Sequence, residues 1–130
     1  MKKKGRRLKF KGDVEDVTDY PDIQELLAGA DVVISDYSSC IFDFALSRRP
    51  AFLYAPDREK YETERGFYYP LSETPFPVVE GPDELAAAIK YFDEDEYAES
   101  LEEFFAAKGN ADDGRAASRA ADIILDCFEH

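Results

Sequence analysis

Histidine occurs once in these 130 residues, as His130, the last position, and tryptophan does not occur. General-base catalysis at neutral pH most often falls to histidine, so the body of the chain lacks the usual proton-transfer residue. The same scarcity removes any Ser-His-Asp set and any legible metal site. The two cysteines, Cys40 and Cys127, have no CxxC spacing and no histidine partner. They lie in apolar helical patterns and read as buried, reduced thiols of a cytosolic protein. No apolar run approaches the roughly 20 residues of a membrane span, and no secretory leader is legible. Walker loops and glycine fingerprints are absent too.

Positive charge is scarce beyond the first few residues. Residues 1–11 hold seven of the 16 Lys and Arg and no acid, so the remainder sets nine bases against 29 acids, a net of −20. An acidic body repels nucleic acid, and no nucleic-acid motif is present. Any phosphate site must then rest on backbone amides and a few local arginines. The basic leader, taken as residues 1–13, reads as a solvated end; contact with anionic lipid is the alternative.

What the chain does have is a folded composition: 45% hydrophobic residues, with ten Phe and eight Tyr. Its length fits one domain, residues 14–130. Val14 to Thr18 is a weak strand candidate, as is Leu8 to Phe10 at an edge. Asp19-Tyr20-Pro21-Asp22 is turn chemistry before a helix, in which Ile23, Leu26, Leu27 and Ala30 fall on one face. Val32 to Ser35 is a short β-branched run, as a strand covered on both faces needs. A helix from about Ser39 to Ser47 packs Phe42, Ala45 and Leu46 inward and ends before Pro50. Ala51 to Tyr54 is the next strand. Strand, helix and strand within about 25 residues make a βαβ unit, which requires a parallel sheet.

Asp57 to Thr74 reads as a long, aromatic-rich loop with one helical turn near Glu59 to Glu64. Pro77 to Val79 is a third short strand. Helices follow from Gly81, from about Tyr97 after a break at Asp93 to Glu96, and from Arg115, where Ala116, Ala120, Ile123, Ile124 and Cys127 share a face. The expected fold class is therefore α/β: a Rossmann-like parallel sheet with flanking helices and a helical C-terminal third.

In such sheets ligands gather outside the carboxyl ends of the strands. Three segments should meet there: Asp36 to Ser39, the loop after Tyr54 and the turn after Val79. Asp36, Ser38 and Ser39 place a carboxylate and two hydroxyls where a strand turns into a helix, a position able to hold phosphate. Simple N-capping by Ser38 or Ser39 is the alternative. Arg65 is the best-placed cation for a phosphate, unless it pairs with a nearby acid. Arg48 and Arg49 read as ordinary helix-end cations. Asp43, one turn into the helix, is within reach of a ribose hydroxyl or offsets the helix dipole. No catalytic residue and no cofactor follow from the residues.

Several stretches together resemble a known family. They are Tyr20-Pro-Asp-Ile-Gln-Glu-Leu-Leu27, Ala30-Asp-Val-Val-Ile-Ser-Asp-Tyr-Ser-Ser39, Phe42-Asp-Phe44, Arg49-Pro50, Tyr54, Arg65-Gly-Phe-Tyr68, Gly81-Pro-Asp-Glu-Leu85 and Asp113-Gly-Arg-Ala-Ala-Ser118. Over roughly residues 14–128 the chain resembles the C-terminal segment of CDP-glycerol:poly(glycerophosphate) glycerophosphotransferases, the teichoic-acid primases and polymerases. The resemblance implies part of the C-terminal nucleotide-binding domain of a GT-B transferase. It implies transfer of glycerol phosphate from CDP-glycerol, or a related CDP-polyol, to a lipid-linked teichoic acid acceptor at the cytoplasmic face of the membrane, with release of CMP. It puts Ser38 and Ser39 on the donor pyrophosphate, Asp36 in the turn that holds it, and Arg65 on a phosphate. Asp43, seven residues before Pro50, takes the ribose-binding position by a weaker analogy to GT-B nucleotide-sugar enzymes. Members of the family also carry an acceptor-binding half and an upstream His-Pro segment that these residues do not match. The expectation is a donor-binding portion, inactive by itself and membrane-associated only within its parent. A stand-alone, non-catalytic α/β module that binds a nucleotide or a protein partner is the alternative.

Overall fold

The computed structural model describes residues 12–58, 60 and 70–129. Its centre is a three-stranded parallel sheet in the order β1 (Val33–Ser35), β2 (Ala51–Tyr54), β3 (Val78–Val79). Val33, Ile34 and Ser35 face Ala51, Phe52 and Leu53, and Leu53 and Tyr54 face Val78 and Val79. The expected βαβ unit is present, with α2 (Cys40–Ala45) between β1 and β2.

Helix α1 (Ile23–Gly29) starts where the turn chemistry placed it. Asp22 is its N-cap and accepts the Gln24 N–H at 2.9 Å, satisfying one of the orphan donors of the first turn. After β2, a 3-10 turn at Leu71–Glu73 leads into β3. Helix α3 (Pro82–Lys90) has proline in its first turn, where the missing N–H costs nothing. Helix α4 (Glu94–Ala107) begins three residues before the expected Tyr97. Tyr91 is the C-cap of α3, and Asp93 caps α4, accepting the N–H groups of Asp95 and Glu96 at 3.0 Å each. Helix α5 (Ala116–Glu129) follows a turn in which Asp113 accepts the Arg115 N–H at 2.9 Å.

The core gathers Leu27 of α1, Ile41, Phe44 and Ala45 of α2, Ala51 and Leu53 of β2, and Tyr97 and Leu101 of α4. Phenylalanines tie the layers together. Phe42 sits edge-on to Phe76 with centroids 5.5 Å apart and stacks on Phe104 at 5.8 Å, while Phe52 meets Phe92 at 5.3 Å. Such pairs add roughly 0.5–1.5 kcal/mol beyond the area they bury.

Five expectations are corrected. Val14 to Thr18 is not a strand: Asp16 accepts both the N–H and the hydroxyl of Thr18, at 3.1 and 2.6 Å. That local turn competes with a ladder. Helix α2 stops at Ala45 rather than Ser47, and Leu46 is exposed. Cys127 is exposed rather than buried, because the apolar side of α5 has no cover among the described residues. Arg49 is not a cap on its own preceding helix but reaches α1, as described below. Finally, among the described residues β1 is covered on one face only. Ile34 shares a face with its ladder neighbour Phe52, yet Ile34 is 50% exposed and Phe52 1%. The expected edge strand at Leu8 to Phe10 and the helical turn at Glu59 to Glu64 fall on residues outside the described set, Lys60 apart.

Candidate functional site

Because all three strands run parallel, their carboxyl ends emerge on one edge. The turn Asp36 to Ser39, the segment after Tyr54 and the turn after Val79 therefore lie on that edge, as the sequence suggested. The base of the second segment is fixed by Ala55, which is buried and donates its N–H to the Val79 carbonyl at 2.8 Å. The third opens with the Glu80 N–H bonded to Glu84 Oε2 at 2.9 Å.

Ser38 and Ser39 are both exposed. Ser39 occupies the N-cap position of α2 with helical backbone angles, φ −65° and ψ −14°, and makes no side-chain capping bond. The Ser38 hydroxyl accepts the Cys40 N–H at 3.5 Å, the long limit of a hydrogen bond. Capping is the simplest use for these serines, and the geometry gives it little. Ser35 at the end of β1 places its hydroxyl 3.8 Å from Cys40 Sγ.

Asp36 is exposed at the start of the turn. Asp43 is exposed in the first turn of α2, and its Oδ2 accepts from Gln24 Nε2 at 3.5 Å, so it faces α1. Arg65 lies outside the described residues. Thus Asp36, Ser38 and Ser39 share one turn, with Asp43 one helical turn farther on.

Two contacts at this edge escaped the sequence reading. Tyr37 Oη donates to Asp57 Oδ1 at 2.8 Å, joining the turn after β1 to the turn after β2. Burial, then the Asp57 carboxylate, push the Tyr37 phenol up to about 12, so it stays a donor throughout the neutral range. The available signal was positional: each residue stands just past a strand end on the ligand edge. The second is Arg49. Its guanidinium donates to the carbonyls of Leu27 and Ala28 at 3.1 Å each and to that of Ala30, and it lies over the Phe44 ring at 4.9 Å. Its guanidinium is engaged in closing α1. Arg48, in the left-handed region at φ 62°, pairs with Glu102 of α4.

Among the described residues, no helix is long and apolar enough to cross a membrane, and no three His, Cys, Asp or Glu gather as a metal site.

A parallel sheet joined by a helical crossover and flanked by further helices defines the class of this fold, α/β. Within that class the chain belongs to the CDP-glycerol:poly(glycerophosphate) glycerophosphotransferase family, whose profile matches residues 1–126. It is 41% identical over 116 residues to a teichoic acid glycerol-phosphate transferase of Staphylococcus aureus, covering 86% of this chain and 30% of that protein. It is 38% identical over 112 residues to a teichoic acid ribitol-phosphate primase of Bacillus spizizenii, covering 85% and 28%. The fold matches the wall teichoic acid polymerase TagF with a TM-score of 0.71 at 34% identity, over 88% of this chain and 29% of the polymerase. A histidine-to-asparagine form of that polymerase soaked with CDPG matches equally, at TM-score 0.71. The chain thus spans about a third or less of the length of these relatives.

Proposed function

We propose that residues 14–130 form the donor-nucleotide-binding unit of a teichoic-acid polyol-phosphate transferase. The observation that carries this reading is the Ser38–Ser39 turn. Two exposed hydroxyls sit at the carboxyl edge of a parallel sheet and are scarcely used in capping, in a chain of this family.

In this reading the donor is CDP-glycerol or a related CDP-polyol. The hydroxyls of Ser38 and Ser39 donate to its pyrophosphate oxygens, and Asp36 holds the turn. Asp43 accepts from a ribose hydroxyl after releasing Gln24. Arg65 neutralises phosphate charge; it enters on sequence alone. The acceptor hydroxyl, on a lipid-linked teichoic acid chain at the cytoplasmic membrane face, attacks the phosphorus that bears glycerol. The bond to the CMP phosphate breaks, and CMP leaves. None of the described side chains is assigned as the base for that attack, so this chain by itself is expected to bind donor without transferring it. The relatives include both glycerol-phosphate and ribitol-phosphate enzymes, which fits a site that recognises the shared CDP half.

Calorimetric titration of the chain with CDP-glycerol, CDP-ribitol, CDP and UDP tests this. The reading expects the three cytidine ligands to bind alike and UDP more weakly. Equal binding of UDP, or of none of the four, contradicts it. The second reading, a non-catalytic α/β module, is favoured by one feature, the restriction of histidine to His130. Such a module binds a nucleotide or a protein partner without chemistry, and it expects no preference for the cytidine ligands over UDP.

A further inference from the structure

Helix α2 is only six residues long; at the turn before it the Phe42 N–H reaches the Ser39 carbonyl at 3.0 Å, but both bonds to Ser38 are long. The Cys40 N–H reaches Ser38 Oγ at 3.5 Å, and the Ile41 N–H reaches the Ser38 carbonyl at 3.4 Å. Local hydrogen bonding at those lengths holds a turn weakly. The intervening Tyr37 is anchored at both ends: its half-buried ring packs against the core, and its hydroxyl donates to Asp57 Oδ1 at 2.8 Å. Asp57 stands two residues after Ala55, which is buried and hydrogen-bonded to β3 through Val79. The hydroxyl of Tyr37 is therefore tied to the turn that follows β2, twenty residues away in sequence.

We infer that Tyr37 and Asp57 are positioning residues: their hydrogen bond fixes the Ser38–Ser39 turn in the geometry that receives the donor's diphosphate. The inference rests on the donor-binding reading above and deepens it. Tyr37 and Asp57 act through the serines and touch no ligand themselves. A stiff aromatic strut, with two torsions to fix, pre-organises the turn before the ligand arrives, which lowers the ordering cost of binding. What Asp57 supplies is an acceptor, so its charge is dispensable while its side-chain oxygen is not. Asparagine keeps that oxygen and alanine removes it.

The test is an amide-shift titration of the labelled 130-residue chain with CDP-glycerol, using wild type, Tyr37→Phe, Asp57→Ala, Asp57→Asn and the Tyr37→Phe/Asp57→Ala double variant. Tyr37→Phe and Asp57→Ala should each weaken binding about tenfold, the double variant no more than about twofold further, and Asp57→Asn should stay within about threefold of wild type. Melting temperatures of Asp57→Ala and Asp57→Asn, changed at an exposed position, should agree with wild type within about 2 °C. The amides of Ser38 and Ser39 should shift less in Tyr37→Phe at equal saturation. Wild-type affinity in Tyr37→Phe and Asp57→Ala overturns the positioning role and leaves donor binding standing. Additive losses, or an affinity loss that only follows a falling melting temperature, overturn it as well. A wild-type chain that shows no saturable shifts overturns donor binding itself, and the positioning role with it.

Discussion

The guanidinium of Arg49 donates to the carbonyl of Leu27 at 3.1 Å, across twenty-two residues of sequence. Together with its bonds to Ala28 and Ala30, this closes the C-terminal turn of α1, where carbonyls otherwise lack partners. Its own carbonyl accepts from Tyr97 Oη at 3.3 Å, so α1, the α2–β2 turn and α4 share one residue. Arg49→Ala should cost about 2–3 kcal/mol, because several charge-assisted bonds to partly buried carbonyls are lost together. Arg49→Lys should recover only part of that, since an ammonium cannot reproduce the planar fork. Urea unfolding measures both; a change below about 0.5 kcal/mol for the alanine variant contradicts this role.

Phe44 is 2% exposed and lies between the Arg49 guanidinium and the sheet core. Phe44→Ala should destabilise by about 3–5 kcal/mol, the range for an aromatic cavity. At the other extreme, Phe128 on α5 is 83% exposed. Phe128→Ser should change stability by no more than about 0.5 kcal/mol. Thermal melts of the two variants should therefore differ sharply, and similar losses would contradict the core assignment.

Alkaline pH should weaken the fold through Tyr97. Burial raises its phenol to about 12, against a usual value near 10. In the folded state it keeps its proton where the unfolded chain has lost it. Its contribution is thus complete below pH 10 and is lost as pH rises towards 12. Tyr37, also raised to about 12, acts in the same direction. Melting temperature followed from pH 9 upward should fall above pH 10, and Tyr97→Phe should flatten part of that fall. Parallel curves for variant and wild type would contradict the assignment.

Ser38→Ala with Ser39→Ala should leave stability within about 0.5 kcal/mol of wild type, because Ser39 makes no capping bond and that of Ser38 is long. The same double substitution should weaken CDP-glycerol binding more than about tenfold, two charge-assisted hydrogen bonds being lost. Unfolding and calorimetric binding together read this; a stability loss near 2 kcal/mol with binding intact would return the serines to capping.

Local chemistry made much of this fold legible. The β-branched run before Ser35, the Asp22 cap and Pro82 each specify their structure within a few residues, and two strands around a short helix oblige the sheet to be parallel. The turn Asp36 to Ser39 was legible for the same reason. What was hidden depends on distant partners. Nothing near Arg49 says that it closes α1, and nothing near Tyr37 points to Asp57. Periodicity shows that Ile34 and Cys127 belong to apolar faces but not what covers those faces, and both are exposed. Asp43 carried its position in sequence but not its direction towards Gln24.

The Ser38–Ser39 turn is proposed to receive the diphosphate of a CDP-polyol. Mapping amide shifts of the isotope-labelled chain during addition of CDP-glycerol tests it most directly. Saturable shifts centred on Ser38, Ser39 and Cys40 are expected, with the amides of α5 unmoved. Shifts absent at millimolar ligand, or centred away from this turn, would contradict it.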